Sequence, residues 1–224
     1  MHVYVAGAGK LAKELLEGLV TRDGWSISRW DGRPIVDEKC IVVHAGSGRE
    51  IVAISQFCQD TSSVLVELST GSSLEASSPA FPVVICPNTN ILMLKFMCML
   101  ERSGAMFKGS RIEIVESHQA SKTSVPGTAV QIAHSLGAPI EEIVSVRSAT
   151  QQLNDLHIPN EHLARHAYHR ISIEDGPCKI SMETRIYGET PYVSGVQQII
   201  DAVRERELVC RVYSINEFIE NAWV

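Results

Sequence analysis

His2-Val3-Tyr4-Val5-Ala6-Gly7-Ala8-Gly9-Lys10-Leu11-Ala12 sets an apolar run, a glycine turn and a helix start in succession. His2 to Ala6 is a short run rich in β-branched and apolar residues, as in a strand, and it stops at Gly7. Beyond the glycines, Leu11, Leu15, Leu16, Leu19 and Val20 recur at helical spacing. Gly7 to Ala12 therefore fits GxGxxA between a strand and a helix. The first glycine permits the tight turn, the second lets backbone approach a pyrophosphate, and the small Ala12 lets helix and strand pack closely. The helix N-terminus offers free N–H groups and the positive end of its dipole to a phosphate. Gly7, Gly9, Lys10, Leu11 and Ala12 are thus candidates for holding a dinucleotide.

The pattern continues outward. Trp25 to Trp30 alternates like a second strand, and Asp31 follows it, about twenty residues past the glycines, where an acid binds the ribose hydroxyls of NAD. Arg33 and Arg29 flank it and would instead meet the 2′-phosphate of NADP. Asp31-Gly32 is also a turn dipeptide in its own right, so the cofactor stays open between NADH and NADPH. Cys40–His44, Val64–Leu68 and Phe81–Cys86 read as further strands, with a helix from Ile51 to Cys58. The turns Ala45–Gly48 and Ser69-Thr70-Gly71 each follow a strand, so Ser69, Thr70 and Gly71 join the candidates lining a cofactor crevice. Strands alternating with short helices predict an α/β fold, with a Rossmann-type parallel sheet over residues 1–90.

From Pro87-Asn88-Thr89-Asn90 the texture changes. Ile91 to Leu100 is an apolar helix whose Met and Leu stripe reads as core. Arg111 to Val115 is a strand, Thr128 to Leu136 a helix ending at Gly137, and Ile143–Ala149, Ala167–Ile173 and Lys179–Ile186 are further strands. A last helix runs from Val193 to Arg206. Residues 91–199 therefore read as an α+β region with a largely antiparallel or mixed sheet. The segment from about 200 to 224 is a candidate to pack back on the first domain.

Composition bounds the partners. The chain has 224 residues and a net charge of −6, which argues against a broad basic surface for nucleic acid. The six cysteines are scattered and form no CxxC, so reduced thiols are expected rather than disulfides or a cysteine zinc site. No apolar run reaches the roughly 20 residues needed to cross a bilayer. The expectation is a soluble, cytoplasmic protein with a small-molecule anionic substrate and no membrane partner.

The sharpest chemical constellation is Glu116-x-His118-x-x-x-Lys122 followed by Pro126-Gly127-Thr128-Ala129, read as a loop from Glu116 to Ala129. His118 and Lys122 offer proton-bearing side chains at the mouth of a strand. Gly127 and Thr128 open a helix whose N–H groups and hydroxyl suit a carboxylate. A lysine can donate a proton when its surroundings lower its pKa.

These residues resemble the signature of the 4-hydroxy-tetrahydrodipicolinate reductase (dihydrodipicolinate reductase) family, E-x-H-H-x-x-K-x-D-x-P-S-G-T-A. Gly7–Ala12 is similar to that family's opening glycine motif, and Ser69-Thr70-Gly71 to its G-T-T-G turn. Asn88 with Asn90 is similar to its N-F-S-x-G-x-N segment. Arg185 with Tyr192-Val193-Ser194-Gly195 is similar to its H-R-A-x-S-R-x-x-F-A-x-G stretch. The resemblance implies a nucleotide domain, a substrate-binding and oligomerisation domain over 91–199, and a homotetramer. It implies hydride transfer from NADH or NADPH to a cyclic dicarboxylate imine-type substrate of diaminopimelate–lysine biosynthesis. On the matching positions, His118 is the active-site histidine, Lys122 the proton donor, and Gly127 and Thr128 hold a substrate carboxylate, with Arg185 a further candidate. Gln119 stands where the family has a second histidine and is a candidate substrate contact. The run before Gly127 is one residue short, and Thr184 replaces a histidine. Two alternatives stay open: an oxidoreductase of the same fold with another small carboxylated substrate, and a nucleotide-binding regulatory protein without turnover.

His157, His162, His166 and His169 form a second cluster. Helical spacing would set three of them on one face for zinc, but Tyr168 to Ile173 reads as strand and spreads them apart, so no metal is expected.

Overall fold

The computed structural model describes residues 1–224 except 22–23, 33, 35–37, 124–125 and 189–191. The chain divides into two compact units: Met1–Leu94 with Tyr192–Val224, and Lys95–Pro191.

The first unit is a six-stranded parallel sheet. Its strands are β1 (His2–Ala6), β2 (Ser26–Arg29), β3 (Ile41–His44), β4 (Val64–Glu67), β5 (Val83–Ile85) and β10 (Val212–Ser214), in the order β10-β5-β4-β3-β1-β2. β1, β3 and β4 are buried along their whole length. Continuous apolar strands of this kind belong to sheets covered on both faces. One face packs Leu15 of α1 (Lys10–Gly18), Ile199 of α6 (Val193–Arg204) and Phe218 of α7 (Ile215–Glu220). The other packs Ile54 and Phe57 of α2 (Ile51–Thr61) with Tyr4 and Trp30. Strand order reverses between β1 and β3, the switch point at which doubly wound sheets open a crevice at their carboxyl ends.

The second unit holds a four-stranded mixed sheet. β6 (Arg111–His118) runs parallel to β7 (Val144–Val146) and antiparallel to β8 (His166–Asp175), which pairs antiparallel with β9 (Cys178–Tyr187). The helix α3 (Ile91–Ser103) leads into this unit, and α4 (Gly127–Leu136) and α5 (Ala149–Asn154) belong to it. α4 ends on Gly137 at φ 66°, whose N–H closes the last turn on the Ala133 and His134 carbonyls.

Three readings are corrected. β6 continues through His118, so Glu116, Ser117 and His118 are strand residues and not loop. They stay extended because β7 and β8 both pair with them. The helix starting at Val193, grouped by sequence with 91–199, lies in the first unit. Its Gly195 meets the Thr89 carbonyl so closely that no side chain fits, and its Val196, Ile199 and Ile200 fill that unit's core. β10 and α7 have no counterpart in the sequence reading. β10 extends the sheet through Val212, Tyr213 and Ser214 beside Val83, Val84 and Ile85, and the Ser214 hydroxyl accepts the Glu217 N–H to start α7.

Candidate active site

In the first unit the glycine turn sits where the sheet reverses. Gly7 has φ +126°, and a Cβ there would lie 2.4 Å from the Ala45 carbonyl oxygen. The turn after β1 is thus pressed against the turn after β3, and Ala45 N–H donates to Ala6 at 2.8 Å. Gly9 caps α1 without any side-chain hydrogen bond, which leaves the first-turn N–H groups for an anion. Among the described residues nothing lies within 4 Å of a Cβ built on Gly9. Ala12 is fully buried and Leu11 packs against the core, while Lys10 reaches Glu14 at 3.8 Å from an exposed position.

Asp31 is exposed, just past the carboxyl end of β2. Trp30 N–H donates to Val5 at 3.0 Å, so Asp31 emerges beside the glycine turn. Gly32, at φ +82°, makes the Asp31-Gly32 turn as well. Arg33 lies outside the described residues. Ser69, Thr70 and Gly71 line a cavity of about 270 Å³ together with Gly46, Ser47 and Gly48. The structure thus brings the turns after β3 and β4 to one cavity.

In the second unit the alternation of β6 sets Glu116 and His118 on one face of the sheet, with Ser117 on the other. The Glu116 carboxylate is fully buried. His118 Nδ1 lies 2.9 Å from it, and Arg147 donates from its two terminal nitrogens at 2.6 and 3.1 Å. Burial alone pushes the Glu116 pKa up. The hydrogen bonds from His118, Arg147 and Ser145, with the Arg147 charge, outweigh that and hold it at about 2. The Arg147 Nε donates to the Lys122 carbonyl at 2.9 Å, so one guanidinium joins the carboxylate, the histidine it holds and the backbone of Lys122. Lys122 and Gln119 are half-buried, and the Lys122 N–H closes a turn on the Gln119 carbonyl at 3.0 Å. Gly127 and Thr128 form the first turn of α4, whose N-cap, Pro126, makes no side-chain hydrogen bond.

His169 pairs with Glu116 across β6 and β8, on the same face. Its ring is 5.8 Å from that of His118, edge to face, and Nδ1 lies 3.1 Å from the Thr184 hydroxyl. Burial and the His118 charge push the His169 pKa down to about 4 against the opposing pull of Glu116.

Arg185 does not join this group. It pairs with Tyr168, which faces Ser117 across β8, so its side chain leaves the face opposite His118. There it pairs with Glu183, donates to the Tyr187 hydroxyl at 2.9 Å and to the His157 carbonyl at 3.2 Å, and lies over the Tyr168 ring. The histidine cluster is scattered likewise. His166 bonds the Ser117 hydroxyl at 3.0 Å, His162 stacks on Tyr187, and His169 is on the other face. Among the described residues no group of three His, Cys, Asp or Glu side chains is arranged to hold a metal. No helix among them is long and apolar enough to cross a membrane, and the six cysteines form no disulfide.

Arg147 and His169 carry much of this geometry; the sequence singled out His169 only as part of a metal-type histidine cluster, and Arg147 not at all. Glu116 had a signal: two residues from His118 on a strand means one face. Arg147 had none, because it lies 31 residues from Glu116.

No protein-family model matches the chain. A search of solved structures finds a dipicolinate-bound dihydrodipicolinate reductase from Paenisporosarcina sp. TG-14 at TM-score 0.65 and 17% identity, covering 98% of each chain. This chain has the dihydrodipicolinate reductase fold. An engineered D-amino acid dehydrogenase bound to NADP⁺ also matches, at TM-score 0.50 and 9% identity, over 97% of this chain and 93% of the other. Among curated proteins, a probable 4-hydroxy-tetrahydrodipicolinate reductase of Oryza sativa subsp. japonica, chloroplastic by name, is 29% identical over 123 residues. That match takes in 50% of this chain and 36% of the rice protein, so the chain spans little more than a third of the relative's length. The family that the sequence resembles is thus also met among curated relatives, over part of the chain, and in the fold.

Proposed function

We propose that the chain is an NAD(P)H-dependent reductase of the 4-hydroxy-tetrahydrodipicolinate reductase type, acting on a cyclic dicarboxylate imine-type substrate. The observation that carries this is the Arg147 bridge, which ties the Glu116–His118 pair to the backbone of Lys122. It binds the residues that match the family motif into one constellation. The NADP⁺ of the structurally similar dehydrogenase supports a dinucleotide in the first unit, where Gly7, Gly9 and the uncapped start of α1 fit a pyrophosphate.

When bound, the dihydronicotinamide supplies hydride to a substrate carbon. The Lys122 ammonium gives a proton to the atom that gains electron density. His118, its Nδ1–H held by the Glu116 carboxylate, presents Nε2 to the substrate and orients it. The N–H groups of Gly127 and Thr128, with the threonine hydroxyl, hold a substrate carboxylate. Arg185 is left out of this set because it faces the other side of the sheet. The same resemblance points to a homotetramer. The test is oxidation of NADH and NADPH in the presence of the enzymatically generated dihydrodipicolinate precursor. Turnover supports the reading, and dinucleotide binding without turnover on that compound contradicts it.

A second reading keeps the fold and the dinucleotide but takes another small carboxylated substrate. It is favoured by Gln119, which replaces an ionisable histidine with a neutral amide, and by the shortened run before Gly127.

A further inference from the structure

The carboxyl ends of β3 and β4 carry two buried side chains that the proposed reaction does not use. His44 and Glu67, the last residues of these strands, are register partners with no solvent exposure. His44 Nδ1 lies 2.9 Å from both Glu67 oxygens. The same carboxylate accepts the Ser69 N–H at 2.8 Å and the Ser69 hydroxyl. The other ring nitrogen, His44 Nε2, is buried and faces Glu50 Oε2 at 3.7 Å, and neither atom has a hydrogen-bond partner among the described residues. Gly46 lies against this pair: a Cβ there would stand 2.7 Å from His44 Nε2 and 3.2 Å from Glu50 Oε2. Gly46 and Ser69 both line the cavity of about 270 Å³. A charged group therefore lies one layer behind the cavity wall, and both turns that form the cavity rest on it.

The group has a definite sign. Burial raises the Glu67 pKa, but the bonds from His44 and Ser69 and the His44 charge bring it below the usual carboxylate range. Two carboxylates face one imidazole, so the group is net anionic whether the ring carries one proton or two. Arg49, on the same turn, directs its Nε to the Ser47 hydroxyl at an exposed position. A buried charge is weakly screened by solvent and salt. A nicotinamide ring carries a positive charge when oxidised and none when reduced, while its shape changes little.

We propose that His44, Glu67 and Glu50 select the oxidation state of the dinucleotide, favouring the oxidised form in the cavity between the turns after β3 and β4. This rests on reading the first unit as a dinucleotide site with its nicotinamide at the turns after β3 and β4, where strand ends line the cofactor crevice. Tighter binding of the oxidised form makes the bound reduced form a stronger hydride donor by the same factor, since the two equilibria are linked. It also slows release of the spent cofactor.

The test is calorimetric titration of the chain with NAD⁺, NADP⁺, NADH and NADPH, repeated on Glu67→Gln and Glu50→Gln. Glu67→Gln keeps an oxygen for Ser69 and removes the charge. The ratio of oxidised to reduced affinity should fall by about five- to tenfold in Glu67→Gln, and in the same direction by less in Glu50→Gln. A purely structural role would weaken both forms alike, and an unchanged ratio overturns the inference. Should Glu67→Gln fail to fold, the ratio in Glu50→Gln, a side chain 34% exposed, decides it alone. If the wild-type chain binds neither form, the dinucleotide reading falls and the inference with it. If it binds both and the ratio stays constant across variants, only the inference falls.

Discussion

Arg147 donates both terminal nitrogens to the Glu116 carboxylate, at 2.6 and 3.1 Å, in a place where Glu116 has no solvent exposure. Bidentate geometry of this kind is specific to a guanidinium. It compensates a charge that would otherwise be costly to bury. The same carboxylate sets the orientation of His118, so the pair links folding of the second unit to the proposed chemistry.

Arg147→Met should therefore lower stability by about 3 kcal/mol, because it strands a buried carboxylate. Arg147→Lys should recover only part, since an ammonium cannot span both oxygens. Pairing Arg147→Met with Glu116→Gln should restore much of the loss, a coupling that urea unfolding of the four proteins in a double-mutant cycle would measure. Additive effects would mean the two side chains do not stabilise each other.

Acidification should weaken the second unit in two successive steps. His169 has a folded pKa of about 4 against the usual 6.5, so its neutral form is the one the fold accepts. The stability from that preference is complete above pH 6.5 and is lost as pH falls toward 4. Burial lowers His166 as well, and it contributes to the same window. Glu116 has a folded pKa of about 2 against 4.5, so its ionised form is favoured. That stability is complete above pH 4.5 and is lost as pH falls toward 2. Each step is worth about 3 kcal/mol. Urea midpoints between pH 7 and 3 should flatten in the upper window for His169→Gln and in the lower window for Glu116→Gln.

Gly7 and Gly9 should respond differently to alanine. Gly7→Ala places a Cβ 2.4 Å from the Ala45 carbonyl at φ +126°, and should cost about 2 kcal/mol or more of stability. Gly9→Ala meets nothing within 4 Å and should stay within about 1 kcal/mol of wild type. If the glycine admits a pyrophosphate, Gly9→Ala should still weaken dinucleotide binding by about tenfold or more. A stable Gly9→Ala protein with wild-type affinity would remove the pyrophosphate from this turn.

Lys122→Ala should lower turnover by about a hundredfold or more while the dinucleotide dissociation constant stays within about twofold of wild type. Steady-state kinetics beside a fluorescence titration of NADPH separates the two. Turnover at the wild-type rate would end the role of Lys122 as proton donor.

Much of the fold was legible because its signals are local. β1 runs from His2 to Ala6 as its apolar run indicated, and the alternation of strands with short helices up to residue 86 implied the parallel sheet. β10 was missed because three residues are too few to show a period. The proposed site was legible only in part. His118 and Lys122 stand out by spacing, but polar residues at the end of β6 read as loop. Their burial depends on Arg147 and on strand β8, both distant in sequence. The side of the sheet that Arg185 occupies follows from the register of β8 with β6 and β9, and sequence spacing carries no information about register.

The decisive measurement follows NADPH and NADH absorbance after the chain is added to freshly generated 4-hydroxy-tetrahydrodipicolinate. Oxidation should depend on both substrate and dinucleotide and collapse in Lys122→Ala. Dinucleotide binding with no oxidation of that substrate would contradict the proposed function.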